Sequence, residues 1–126
     1  MDHASDSSDP ATWDPALDAV TAAPRNHTVL YEDDVIRVLA VSVAPGETEN
    51  PHHHRWPSVM VFDRTAKIRD FNGATGEENR LPPRDGLPLP LTIKFPSQNL
   101  HYVQNCDTRP IHATRIEFKK GFPTQM

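Results

Sequence analysis

The sequence predicts an all-β fold, a single barrel or sandwich of short strands preceded by an N-terminal arm. Short apolar segments rich in β-branched residues recur along the chain, and residues typical of turns separate them. Thirteen prolines among 126 residues leave little room for long helices. This length suits one domain with a substantial core.

Residues 1–26 form the predicted arm. Asp, Ser, Ala and Pro dominate it and apolar residues are sparse, which is typical of a mostly disordered tail. Trp13, Leu17 and Val20 recur at helical spacing, so a short helical turn could dock on the body. We therefore expect a flexible or partly docked arm, with His3 and His27 solvated.

The barrel is predicted for residues 27–120, and residues 121–126 form a C-terminal tail. The predicted strand at residues 35–43 is apolar on both faces, as in strands that pack on both sides. The predicted strands that follow it alternate between apolar and polar residues, like half-buried strands. Residues 74–90 are rich in Gly, Pro and charge, which predicts a loop with at most short strands. The predicted strands lie at residues 28–31, 35–43, 58–62, 66–71, 91–95, 100–104 and 111–118, with a histidine segment after Pro51.

Composition excludes several classes of function. The formal net charge is −4 and the pI is about 5.9, so neither nucleic acid nor an anionic membrane is an expected partner. Cys106 is the single cysteine, which excludes an internal disulfide and fits a reducing compartment. No apolar run approaches the roughly 20 residues that span a bilayer, and no secretory signal is visible. We expect a cytoplasmic protein.

The histidines are the most informative residues. His52 and His54 alternate, so on a strand they share one face while His53 points to the other. Imidazole nitrogens are the commonest protein ligands of transition metals, and His101 from a distant segment could complete one side of a metal site.

These residues resemble the two motifs of the cupin superfamily. Gly46 followed by His52-x-His54 resembles the first motif, and Pro96, His101 and Asn105 resemble the second; the resemblance covers roughly residues 27–120. It implies a small single-domain cupin, with a double-stranded β-helix or jelly-roll barrel. It also implies one divalent transition metal (Fe, Zn, Ni, Mn or Cu) bound by His52, His54 and His101, with Asn105 hydrogen-bonded in a turn.

One cupin ligand is missing from its usual position. A glutamate usually follows His-x-His by four or five positions, where this chain has Ser58 and Val59. The site would then use three histidines alone, unless Glu47 or Glu49 reaches the metal. Such a site favours a small anionic molecule, and the resemblance implies a metal-dependent dioxygenase or isomerase. His112 is the candidate general base.

Other functions remain open from the sequence. The missing glutamate also fits a non-enzymatic barrel that binds or senses a small molecule, or a metal-free structural or interaction protein. A homodimer paired through sheet edges is expected. Arg37 either lies in solvent at a strand end or pairs with an anionic substrate inside the barrel, and a structural role is slightly favoured.

Overall fold

The computed structural model describes residues 9–123, and these form nine strands after three short helical segments. Two 3-10 turns span Pro10–Thr12 and Pro15–Leu17, and helix α1 spans Ala19–Ala22. The strands are β1 (His27–Glu32), β2 (Ile36–Val43), β3 (His52–His54), β4 (Ser58–Arg64), β5 (Ile68–Asn72), β6 (Glu78–Asn79), β7 (Leu91–Phe95), β8 (Gln98–Asn105) and β9 (Ile111–Phe118). No helix in this range is long and apolar enough to cross a membrane.

The strands form two antiparallel sheets, which confirms the predicted all-β barrel. One sheet has the order β1-β2-β9-β4-β7 and the other the order β3-β8-β5-β6. Strands β7 and β9 have the predicted bounds, and the predicted loop at residues 74–90 contains only the two-residue strand β6. Long-range pairing between segments at opposite ends of the chain, such as β2 with β9, holds the barrel together.

The inner face of the larger sheet carries charge as well as apolar side chains. In β2, Leu39, Val41 and Val43 point inward, and so does Arg37. In β9 the inner positions are Ile111, Ala113, Arg115 and Glu117. The apolar members form the core clusters, while the charged members lie at the end of the barrel where the histidines are found.

The described part of the arm is docked on the barrel. The side chains of Asp9, Asp14 and Asp18 each accept a hydrogen bond from a backbone N–H two residues later, which caps the three short helical segments in turn. Trp13 is buried against the ring of His53. Residues 9–26 are therefore ordered by local capping and by burial, whereas His3 lies outside the described residues.

A buried ion network joins the arm to both central strands. The Arg37 guanidinium donates to both Asp18 oxygens at 2.9 and 3.0 Å and to Glu117 Oε1 at 2.5 Å. Arg37, Asp18 and Glu117 are all buried. Arg37 thus lies inside the barrel, but its partners are carboxylates of this chain, which supports the structural role.

Removing the Asp18 carboxylate should destabilise the protein strongly. Asp18→Ala leaves the Arg37 charge buried with half its partners, and breaking such a pair costs about 3 kcal/mol. Urea denaturation measures the change in free energy of unfolding. As the control, Glu78→Ala breaks the exposed Arg69–Glu78 pair and should cost far less, because solvent screens that pair. Equal costs for the two variants would contradict the proposed anchoring of the arm.

Candidate metal centre

Four imidazoles from three strands face one another at one end of the barrel. His52 and His54 lie on β3, His101 on β8 and His27 at the start of β1. Strand pairing places His101 directly opposite His52. His27, His52 and His54 are 3%, 1% and 1% exposed, so no bulk water hydrates their rings.

Each of the four rings is held by its Nδ1 atom. His27 and His52 bond through Nδ1 to the backbone carbonyls of Ala23 (3.0 Å) and Asn50 (2.8 Å). A carbonyl can only accept, so Nδ1 carries the proton in these two rings and Nε2 keeps a lone pair. His54 Nδ1 bonds to Glu117 Oε2 at 3.3 Å, and His101 Nδ1 bonds to Asp70 Oδ1 at 2.7 Å.

This pattern fits a metal ion. Histidine ligands of metals characteristically donate their second ring N–H to a carboxylate or a backbone carbonyl, as all four rings do here. The Nε2 atom of His101 is buried and has no hydrogen-bond partner among the described residues. An imidazole lone pair without a donor in a buried site is most simply satisfied by a cation.

Ring spacing gives a second test of the fit. Five centroid separations within the cluster are 4.6, 5.4, 4.9, 4.8 and 5.6 Å. With metal–nitrogen bonds of about 2.1 Å, tetrahedral ligation spaces imidazole centroids about 5.2 Å apart. The rings therefore lie near the separations that one tetrahedral ion requires.

The tightest set differs from the sequence prediction. The expected trio was His52, His54 and His101, whereas ligand atoms of His27, His52 and His54 all lie within 4.8 Å of one another. His101 borders this set through His52 and His54. The expectation that His27 is solvated was wrong, because the docked arm covers it and supplies the Ala23 carbonyl that orients its ring.

Burial keeps these imidazoles neutral. Desolvation lowers the pKa of His27 to about 4 and that of His52 to about 2, and it holds the pKa of His54 well below 6.5. The positive charge of Arg115 acts in the same direction on all three. Because only neutral imidazole binds metal, protons compete weakly at these nitrogens near neutral pH.

Glu49 places a carboxylate beside the histidine cluster. Its two oxygens lie 3.8 Å from His27 Nε2 and 3.9 Å from His52 Nε2, and Oε1 accepts the Val103 N–H at 3.0 Å. Desolvation raises the Glu49 pKa to about 8. Glu47 instead caps the Ala44 N–H, so of the two acidic residues only Glu49 reaches the cluster.

The other residues singled out from the sequence lie outside the cluster. His53 points away from it, as alternation predicts, and bonds through Nε2 to the Asp14 carbonyl. Asn105 is buried and donates to the carbonyls of Val43 and Arg109, which is the expected turn role. Ser58 is buried with no partner for its hydroxyl among the described residues.

His112 is not placed to act as the general base. It occupies an outer position of β9, and Nδ1 pairs with exposed Asp63. The sequence interpretation offered His112 as the candidate general base, and the side chains of Thr114, Ile116 and Phe118 share its face of the strand. Charged Arg115 and Glu117 on the opposite face are the inward residues, because their buried partners compensate their charge.

The cluster borders a cavity of about 100 Å³ with a mainly apolar wall. Arg115 lines it, bonded to Gln98 Oε1 at 2.6 Å, and its Nε has no hydrogen-bond partner within residues 9–123. Burial lowers the Arg115 pKa to about 10, which leaves the guanidinium charged at neutral pH. The apolar lining comprises Val41, Val43, Met60, Phe62, Ile68, Leu81, Phe95, Val103 and Ile111.

The architecture is that of the cupins. A cupin domain from Bordetella pertussis superimposes with a TM-score of 0.59 and 19% sequence identity, covering 74% of this chain and 91% of that one. An RmlC-like cupin family protein with a double-stranded β-helix fold, from Methanocaldococcus jannaschii, gives a TM-score of 0.53 at 10% identity, covering 73% and 77% of the two chains. No protein-family model and no curated protein matches the sequence. The chain therefore has the small-cupin fold that its two motifs predict.

Without metal, stability should be greatest near pH 6.5. The three buried histidines have lower pKa values folded than unfolded, so their contribution is lost as pH falls from about 6.5 toward 4. Glu49, whose pKa is raised, acts in the opposite direction and loses its contribution as pH rises toward 8. Each proton by which the unfolded and folded states differ in binding changes the free energy of unfolding by about 1.4 kcal/mol per pH unit.

Urea denaturation of chelator-treated protein from pH 4.5 to 8 measures this profile. His27→Gln removes one titrating ring and should reduce the slope on the acidic side by about 1.4 kcal/mol per pH unit. His112→Gln is the matched control and should leave the slope unchanged, since that ring is on the outer face. An acidic slope that persists in full in His27→Gln would contradict the burial argument.

Proposed function

We propose that this protein binds one divalent transition-metal ion through His52, His54, His27 and His101, and uses it to act on a small anionic molecule. The observation that carries the proposal is that all four rings are anchored through Nδ1, while ligand atoms of His27, His52 and His54 lie within 4.8 Å of one another and the buried Nε2 of His101 has no partner among the described residues. An all-imidazole set near tetrahedral spacing suits zinc well, and Fe, Ni, Mn and Cu are the alternatives.

The proposed chemistry is proton transfer on the bound anion, as in an isomerase. A bound divalent ion would supply Lewis-acid polarisation of a substrate oxygen. Glu49 lies beside the cluster and, with a pKa of about 8 in the protein without metal, can hold or release a proton near neutral pH. Glu49 replaces His112 as the proposed acid–base group.

One observation favours binding without turnover as the second candidate. A metal bound by all four imidazoles would have a closed tetrahedral shell, which is typical of structural metal sites, whereas catalytic sites keep an open position. A closed shell also gives less support to a dioxygenase than the predicted three-histidine site did. A sensing or binding barrel is therefore tested beside the enzyme.

The ligand set predicts a graded loss of metal. Purified without a histidine tag, the wild type should retain close to one equivalent of metal, measured by elemental analysis. His52→Ala and His54→Ala should lose affinity by on the order of 100-fold or more, and His27→Ala and His101→Ala should also bind more weakly. Asp70→Asn, which only orients His101, should lose about 10–100-fold.

His112→Ala is the matched control and should keep its metal. Unchanged affinity in His27→Ala would reduce the site to the three histidines that the sequence predicted. Unchanged affinity in both His52→Ala and His54→Ala, or a wild type that binds no metal, would overturn the proposal.

Proton exchange distinguishes the enzyme from the binder. Metal-loaded protein is incubated in D2O with small 2-oxo and 2-hydroxy carboxylates, diketones and thiols, and NMR detects deuterium at exchangeable C–H positions. Incorporation should occur with the wild type and fall at least about 100-fold in Glu49→Gln. Oxygen uptake without exchange would support the dioxygenase instead, and saturable binding without either would support the binding barrel.

The expected homodimer stays a prediction. Strand β1 is at the edge of the five-stranded sheet, and Leu30 and Tyr31 are 59% and 54% exposed on it. An exposed edge with apolar side chains is a surface on which a second strand can pair.

A further inference from the structure

Two adjoining cavities lie beside the histidine cluster. The inner one, of about 100 Å³, is bordered by the four histidines, and an outer one, of about 350 Å³, lies beyond it. Five residues line both cavities and therefore lie at the boundary between them, which we call the neck. They are Phe62, Ile68, Leu81, Arg84 and Ile111.

Their sizes suit different parts of one molecule. The inner cavity holds the liquid volume of about three waters, enough for a small polar headgroup. The outer cavity is within the range of ordinary ligand pockets, and its wall is largely apolar, with Ala66, Pro82, Pro83 and Leu91 beside the neck residues. A ligand that fills both would have a small head inside and an apolar body outside.

The charged side chains near the neck favour one sign of charge on the ligand's polar headgroup. Arg84 lines both cavities, and its guanidinium lies 5.6 Å from the centroid of the Phe95 ring, which Arg115 approaches to 5.7 Å. Arg84 forms no ion pair with any residue from 9 to 123, and the adjacent Asp85 pairs with Arg109 instead. A half-buried guanidinium without a carboxylate partner is suited to bind a planar anion through two hydrogen bonds.

We propose that the molecule bound here is an amphipathic monocarboxylate, with its carboxylate at the neck beside Arg84 and its hydrocarbon body in the outer cavity. This rests on the proposed function, because a metal bound by the histidines adds positive charge on the inner side of the same carboxylate. Arg84 is then the residue that determines specificity for an anion over a neutral analogue.

The test uses the full chain in two forms, metal-free and zinc-loaded. Pentanoate, hexanoate, heptanoate and octanoate are titrated into 15N-labelled protein, with hexan-1-ol as the neutral analogue, and NMR shifts give both affinity and location. Hexanoate should bind at least 10-fold more tightly than hexan-1-ol and shift Ala66 and Leu81. Affinity should rise with chain length by roughly two- to fourfold per methylene, as expected when each is buried.

Two charge-changing variants and one charge-preserving variant locate the carboxylate. Arg84→Gln should weaken hexanoate binding at least 10-fold and leave hexan-1-ol binding unchanged, and Arg84→Lys should recover part of the loss. Arg80→Gln is the control: it removes the same charge from the same loop, but this side chain is exposed and lines neither cavity. Equal losses in Arg80→Gln and Arg84→Gln, or equal affinity for acid and alcohol, would overturn the inference.

The two protein forms separate this inference from the proposed function. If the protein takes up zinc but Arg84→Gln does not change hexanoate binding, the neck site is overturned and the metal site is supported. Arg84-dependent binding in protein that takes up no metal would overturn the metal site and leave the carboxylate site standing. Zinc that tightens Arg84-dependent binding would support both.

Discussion

The Glu117 carboxylate lies on the inner face of β9, fully buried, and its two oxygens have different partners. One accepts from Arg37, which also binds Asp18 of the arm, and the other accepts from the His54 ring. The arm, the central strands and the histidine cluster are thereby connected through one charged group. A buried carboxylate is costly unless it is paired, so the ends of this network depend on each other.

That dependence explains why the arm belongs to the site. Residues 9–26 contain few apolar side chains, yet they are ordered by Asp18 pairing, by Trp13 against His53 and by three aspartate caps. The same segment covers His27 and provides the Ala23 carbonyl that holds its ring. One side of the histidine cluster is therefore formed by residues outside the two sequence motifs.

The site combines neutral candidate ligands with charged neighbours of both signs. Desolvation keeps the imidazoles unprotonated, while Arg115 and Arg84 line the cavity that opens from them, as do Glu49 and Asp70. Neutral ligands do not reduce the charge of a divalent ion, so metal binding would make the cavity more positive. Glu49 also lies beside the cluster, 3.8 Å from His27 Nε2, and its raised pKa reflects the same lack of water.

The amino-acid sequence alone predicts the barrel, the positions of most strands and three of the four clustered histidines. Alternating β-branched residues and the positions of prolines are local signals. The cupin-like motifs also depend on short spacings between residues, which can be read directly from the sequence. The positions of His27, Glu49 and His112 relative to the cluster emerge only when the chain is folded. His27 reaches the cluster through contacts between segments that are far apart in the chain. Glu49 reaches it through a turn, and residue spacing does not determine the direction of that turn. On the inner face of β9, Arg115 and Glu117 are charged, and the burial of such residues depends on partners that only folding brings together.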